Sequence, residues 1–521
     1  MFRILWSLAL ILLNLSLGAC AVNPVTGQSE LSLLSRQDEI AIGNEQYGPS
    51  QQSQGGLYKV DPELSVYVNQ VGQRLATVAR RDYDLPYEFV VLNNGVPNAW
   101  ALPGGKIAVN RGLLLELNNE AELAAVLGHE VVHAAARHGA AAMTRGTLLQ
   151  GALVVGAIAS QDSAYSDYIV GAGQLGSQLI TQRYGRDAER DSDYYGIRYM
   201  VEAGYDPRAA VSLQETFVRL SQGRDSSWLD GLFASHPPSQ ERVENNQALV
   251  NELLPGLQGR DLELGEARYQ QAISGLKADQ EAYDLFEEAE RAIADDDLEI
   301  AMLNLDEAMS LVPNEARFSG LKADILLYQR RYREAINSYD EAISKDDDYF
   351  DYYLGRGVAY ARTGDTGRAQ NDLERSAALL PTATAMNELG KISLNNNQRS
   401  VAKQYFQTAA GGGGAVASEA ALAFTRLDVE DNPASYVQAQ IYRDNDGRIL
   451  ARVNNRSGIS LQNVQLGFTA FINGEVNQTV RVINSLSVNQ SLDVNSGLRI
   501  PVGVSVAPDQ MSVRVTTARA Q

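Results

Sequence analysis

The sequence predicts a multidomain α+β chain: a mainly helical domain with a small sheet, then an α-solenoid, then a small all-β sandwich. Three features carry that expectation. The stretch Asn119 to Met143 is rich in Ala, Leu and Glu, has the composition of a helix, and follows a Pro-Gly-Gly turn and a short strand pattern. Beyond residue 280 small residues recur with a period of 34. After Asn432-Pro433 the chain turns to Val, Ile, Asn and Ser with alternating apolar positions. A chain of 521 residues holds about three domains with cores of their own, and the expected boundaries are 20–260, 278–427 and 434–519.

At the start, Arg3 precedes an apolar run from Ile4 to Leu17 and then Leu17-Gly18-Ala19-Cys20, the pattern of a bacterial lipoprotein signal. The run is too short for a comfortable membrane span. The expectation is a signal peptide over 1–19, lipidation at Cys20 and contact with the membrane through that anchor only. Ala21 stands where a signal for inner-membrane retention commonly has Asp, which favours the outer membrane on its periplasmic side. Cys20 is the only cysteine, so no disulfide is available and stability must come from packing or metal. The net charge of -20 argues against nucleic acid, which needs clustered Lys and Arg. A later apolar run, Leu148 to Ala159, is short and interrupted by Gly151 and Gly156; it reads as a buried helix or a lid.

Chemistry concentrates in His129-Glu130-Val131-Val132-His133. Two imidazoles four residues apart share one helix face and suit one zinc ion, and the Glu between them is placed to take a proton from an attacking water. Two of the four His of the chain fall in this pattern. His138, five positions past His133, rotates off the metal face and reads as a partly exposed His at a helix end. Further on, Glu189 and Asp193 lie one helical turn apart in a charged stretch. Spacing alone leaves them either a solvated face or a metal ligand with a carboxylate that holds a ligand His.

Taken together, these residues resemble the BepA, HtpX and CAAX-prenyl-protease type of zinc metallopeptidase, whose second motif reads Arg-x-x-Glu-x-Glu-Ala-Asp-x-x-Gly. Arg186, Glu189, Asp191, Ser192, Asp193 and Gly196 occupy those places, with Asp191 and Ser192 as mild departures. The resemblance implies Glu189 as third ligand beside His129 and His133, Asp193 as the group that orients a ligand His, and one zinc ion per chain. Asn98-Ala99-Trp100-Ala101-Leu102-Pro103-Gly104-Gly105 resembles the family's hairpin, whose strand, here Gly105, Lys106, Ile107 and Ala108, is expected to pair with an extended substrate backbone. His236, in Ser235-His236-Pro237-Pro238, resembles a family His that comes near the zinc and either blocks it as an extra ligand or stabilises the oxyanion. Arg242 matches an Arg that pairs with an acidic group or the substrate. Asn23-Pro24-Val25-Thr26-Gly27 resembles the start of lipoprotein members.

In the second part Ala301, Ala335 and Ala369 are each 34 apart, with Ala402 coming 33 later, the tetratricopeptide period. Ala289, Ala323, Gly357 and Gly390 hold the same register on first helices, where paired helices approach closely. Pro313 and Pro381 end two second helices. Such an array offers a groove to partner proteins or serves as a spacer. Tyr349 to Tyr353 either line the groove or pack between helices. Gly411 to Gly414 breaks the pattern before a capping helix, Ala415 to Leu427. Strands are then expected at Ile449–Val453, Val464–Ile472, Val476–Val482 and Leu498–Val506, with Asn473-Gly474 as a hairpin turn.

The combined expectation is a lipid-anchored periplasmic zinc endopeptidase acting on unfolded or misassembled outer-membrane proteins, with the repeats docking on their assembly machinery. A competing expectation is a latent or non-proteolytic adaptor whose zinc is blocked by His236. A second is a murein-associated hydrolase, for which no glycan-binding signature is visible.

Overall fold

The computed structural model describes residues 20–153, 179–180, 184–221 and 236–521. The expected signal peptide 1–19, the second half of the 148–159 run and Ser235 lie outside them. Two compact units divide the chain at Pro381/Thr382.

The first unit opens with a hairpin of β1 (Cys20–Val22) and β2 (Ser29–Leu31), then helices α1 (Arg36–Ser53) and α2 (Pro62–Ala79). Ser35 and Asp61 cap the two helices with their side-chain oxygens, so each begins where the first free N–H groups find an acceptor. Strands β3 (Glu88–Leu92), β4 (Ala99–Leu102) and β5 (Lys106–Asn110) form a sheet of order β3-β5-β4, with β5 parallel to β3 and antiparallel to β4. Gly104 and Gly105 turn between β4 and β5 at φ 80° and 83°, and a Cβ on Gly104 would stand 2.8 Å from the Glu39 carbonyl oxygen. The order of this sheet corrects one expectation. Gly105 to Ala108 cannot offer a free edge to a substrate, because Lys106, Ile107 and Ala108 are hydrogen-bonded on both sides, to β3 and to β4. Among the described residues the open edge on that side belongs to β4.

Helix α3 (Glu120–Ala135) is capped by Asn119, and every one of its residues is buried. It packs on β4 and on α5 (Arg186–Glu202). The Ala and Leu composition read as one helix from 119 to 143 is in fact two: α3 ends at Ala136, Arg137 takes a left-handed φ of 61°, and α4 (His138–Leu153) starts afresh. Helices α6 (Arg208–Ser221) and α7 (Gln240–Leu253) complete the helical body around the sheet.

Three helical hairpins follow: α8 (Gln280–Ala294) with α9 (Leu298–Leu311), α10 (Ala316–Tyr328) with α11 (Tyr332–Lys345), and α12 (Phe350–Thr363) with α13 (Thr366–Leu379). The small residues of the repeat are buried between them, with Ala289, Ala301, Ala323, Ala335 and Ala369 wholly inaccessible. A Cβ on Gly357 would lie 2.9 Å from Leu373 Cγ, which is why that register position stays small. The first hairpin and α10 share one apolar core with α2, α3 and the sheet. Asn93 donates to Glu315 (2.9 Å), Arg317 donates to the Asn93 carbonyl (2.9 Å), and Gln52 bonds both the Asp348 carbonyl and the Phe350 N–H (2.7 and 2.8 Å). Of the two readings for the Tyr-rich run, packing holds for Tyr349 and Tyr352, which are buried; Tyr349 lies against Gly56.

The second unit carries α14 (Ala383–Asn395), α15 (Arg399–Ala409) and α16 (Gly414–Asp431), then two three-stranded antiparallel sheets. One is β10 (Ser491–Arg499), β7 (Arg448–Asn455) and β6 (Val437–Arg443); the other is β11 (Met511–Ala520), β8 (Leu461–Ile472) and β9 (Glu475–Leu486). Val453, Leu466 and Phe468 lie in the one core between them. Asn473 and Gly474 both take positive φ, 55° and 82°, as a tight hairpin requires. The strand expected over 498–506 ends instead at Arg499, and β6 and β11 escaped the sequence reading.

Candidate metal centre

On α3, His129 and His133 point the same way because four residues bring a helix just over one full turn round. Helix α5 presents Glu189 and Asp193 by the same spacing. Gly128 and Gly196 let the two helices meet: a Cβ on Gly196 would stand 3.1 Å from the Gly128 carbonyl carbon. His236, just before α7, enters the same space and is buried with the others.

The result is a cluster in which one donor atom from each of His129, His133, Glu189 and His236 lies within 4.8 Å of the rest. His129 Nε2 is 3.1 Å from His133 Nε2 and 3.2 Å from His236 Nδ1; Glu189 Oε1 is 2.9 Å from His236 Nδ1 and 3.4 Å from His133 Nε2. Four N/O donors held at 2.0–2.1 Å around a tetrahedral ion stand about 3.3 Å apart. The four separations just given lie close to that figure, while the whole set spreads to 4.8 Å. His129 Nδ1 sits 3.0 Å from Asp193 Oδ1, so its proton belongs there and its Nε2 turns a lone pair toward the other donors. Three imidazoles and a carboxylate converging with their lone pairs suit a divalent cation.

Arg242 frames the far side. Its Nε and Nη2 donate to the two oxygens of Asp193 at 2.8 and 2.7 Å, and Nη1 lies 3.1 Å from Glu189 Oε2. Burial would push Asp193 up, but the Arg242 charge and its hydrogen bonds override this and hold the carboxyl below its ordinary value. The same contest, decided by His236 and His129, holds Glu189 well down.

Glu130 is buried beside the cluster, with Oε1 3.5 Å from His236 Nε2 and Oε2 without a hydrogen-bond partner. Such a carboxylate is free to accept a proton. Tyr184 closes one flank, its ring 4.0 Å from that of His133. A cleft opens beside His129 and Glu130, with Ala99 of β4, Val126, Leu213 and Phe217 on its apolar walls.

The structure thus brings His129, Glu130, His133, Glu189, Asp193, His236 and Arg242 into one buried site. Lys106 is instead drawn to Glu88 at the other end of the sheet. Cys20 lies in β1. One residue was misjudged: His138 is buried, and its Nδ1 is 3.1 Å from His133 Nδ1. A count of five along one helix misses this, because the helix breaks at Arg137.

Known proteins match the stretch of chain that carries these residues. The profile of peptidase family M48 matches residues 62–250, and a TPR-repeat profile matches residues 323–364. Metalloprotease YcaL of Escherichia coli (strain K12) is 30% identical over 220 residues, covering 41% of this chain and 80% of that protein. The beta-barrel assembly-enhancing protease of the same organism is 28% identical over 374 residues, 68% of this chain and 76% of that protein. Mitochondrial metalloendopeptidase OMA1 of Schizosaccharomyces pombe is 35% identical over 201 residues, 37% of this chain and 54% of that protein.

Proposed function

The chain belongs to peptidase family M48, and from that premise we propose that it is a zinc-dependent endopeptidase of the bacterial envelope, lipid-anchored at Cys20 to the periplasmic face of the outer membrane. Its substrates are unfolded or misassembled outer-membrane proteins, and the repeats hold them or the machinery that assembles them. The relative whose printed name is beta-barrel assembly-enhancing protease and the lipoprotein-like start support that reading. The observation that carries the catalytic part is the convergence of His129, His133, Glu189 and His236 around Glu130.

When bound by His129, His133 and Glu189, the zinc ion supplies Lewis acidity to water and to the scissile carbonyl. Glu130, through its unpartnered Oε2, takes the proton of the attacking water and passes it to the leaving amine. Asp193 fixes the His129 ring through Nδ1, and Arg242 keeps that carboxylate ionised. An extended substrate adds to the open edge of β4 next to the cleft, in place of the β5 edge, and an apolar side chain fills the wall of Val126, Leu213 and Phe217.

His236 supports a resting, latent state. Its Nδ1 takes the fourth position of the donor set, where a hydrolytic site needs an opening, so His236 must leave before cleavage. The test is zinc content and casein cleavage of protein lacking Cys20, with Glu130→Gln and His236→Ala in parallel. The expected outcome is zinc in all three, cleavage lost by at least about a hundredfold in Glu130→Gln, and cleavage raised in His236→Ala. Zinc without cleavage in any variant favours the adaptor.

A further inference from the structure

His138 is the one imidazole that the proposed chemistry leaves unused, yet it is 5% exposed and faces a ligand. A His that binds metal through Nε2 carries its proton on Nδ1 and needs an acceptor for it. For His129 the acceptor is Asp193. For His133 the contact is His138 Nδ1 at 3.1 Å, with Ser192 Oγ 3.5 Å from that same nitrogen. When two imidazole nitrogens meet, one must offer a lone pair, and with His133 Nε2 turned to the donor set the lone pair is that of His138.

On an unbroken helix a residue five positions on is rotated by about 140° and misses its predecessor. The encounter depends on Arg137, whose left-handed φ of 61° is strained in a non-glycine residue. Something must hold that conformation. Arg137 Nε donates to Glu39 at 2.6 Å, and Nη2 to Ser32 Oγ at 3.1 Å and to the Leu34 carbonyl. One residue earlier, the Ala136 carbonyl at the end of α3 accepts from Asn23 Nδ2 at 2.9 Å, while Asn23 Oδ1 accepts from the Val25 and Thr26 N–H groups. The segment from Asn23 to Glu39 therefore grips both residues before His138.

We propose that His138 is a positioning residue that accepts the Nδ1 proton of His133, and that residues 23–39 clamp the turn that presents it. The inference rests on His133 as a metal ligand. It also gives Asn23-Pro24-Val25-Thr26-Gly27 a task, as the cap of the metal-bearing helix.

The test is zinc affinity of the full chain, by competition with a chromophoric chelator, together with ¹⁵N imidazole spectra, which a chain of four His keeps simple. His138→Leu is expected to weaken zinc binding about 10–100-fold and to scramble the His133 tautomer. His138→Asn places an amide oxygen where Nδ1 accepts, and is expected to restore both readouts toward wild type. Asn23→Leu is expected to shift both in the direction of His138→Leu, by less. His138→Leu binding zinc as wild type does, or His138→Asn losing as much as His138→Leu, overturns the positioning role; an unchanged Asn23→Leu overturns the clamp. His133→Ala separates the two levels: zinc retained there overturns the ligand assignment, whereas zinc lost there but kept in His138→Leu overturns only this inference.

Discussion

Arg242 holds two buried carboxylates at once, Asp193 through a two-pronged contact and Glu189 through Nη1. Removing it leaves negative charge uncompensated in the interior, so Arg242→Met is expected to lose about 3–5 kcal/mol of stability in urea denaturation, even though Met keeps an unbranched apolar stem. At this scale the sequence was most legible for residues fixed by one helix. His129, Glu130 and His133 needed only a four-residue spacing, and Glu189 with Asp193 the same spacing plus the family motif. His236 and Arg242 were found through resemblance alone, since nothing local marks a His before two prolines as a partner of a helix 100 residues away. His138 was missed for a physical reason: Arg137 carries no Gly or Pro signal for its left-handed turn, and the contacts that stabilise it come from Asn23 to Glu39.

Among the elements, the N-terminus of α3 is tied by Glu120, whose carboxylate accepts from Arg268 (2.9 Å), Tyr205 (2.9 Å) and Tyr67 (2.9 Å). Burial alone would raise it, but these hydrogen bonds override burial and hold Glu120 below its ordinary 4.5. A depressed carboxyl contributes stability above the unfolded value and loses it as pH falls through the folded one. Glu120→Gln is thus expected to be less stable than wild type at pH 7 by about 1–2 kcal/mol, with the gap closing below about pH 4.5 in denaturation series. In the repeats, a Cβ on Gly355 would stand 2.1 Å from the hydroxyl of the fully buried Tyr339. Gly355→Ala, worth about 1 kcal/mol in favour on a free helix, is expected to cost about 1–3 kcal/mol net, seen as a lower thermal midpoint. Small-residue spacing made these helices readable. Strands were harder: Pro501 and Gly503 stop the run read as 498–506, and β11 alternates partly exposed residues with polar ones, so its pattern says little without β8 beside it. The order β3-β5-β4 was likewise out of reach, since which strand lies in the middle is decided by the crossover.

For the whole molecule, the boundary that composition suggests near residue 270 does not separate cores. Arg111 lies 3.5 Å over the Tyr283 ring, and Tyr283 donates to the same Glu315 that holds Asn93. A chain cut at residue 277 would uncover Arg111 and Asn93 together with the apolar surface around them. It is expected to aggregate, whereas a chain ending at Pro381 is expected to stay monomeric on light scattering and to keep its metal. The acidic surface, net -20, favours solubility throughout. The centre itself is tested most directly by zinc-edge X-ray absorption of the loaded full chain, wild type against His236→Ala. One zinc with three imidazole nitrogens and a carboxylate oxygen at about 2.0–2.1 Å, falling to two imidazoles in His236→Ala, is the expected result; zinc with fewer than two imidazoles, or a spectrum that His236→Ala leaves unchanged, would contradict it.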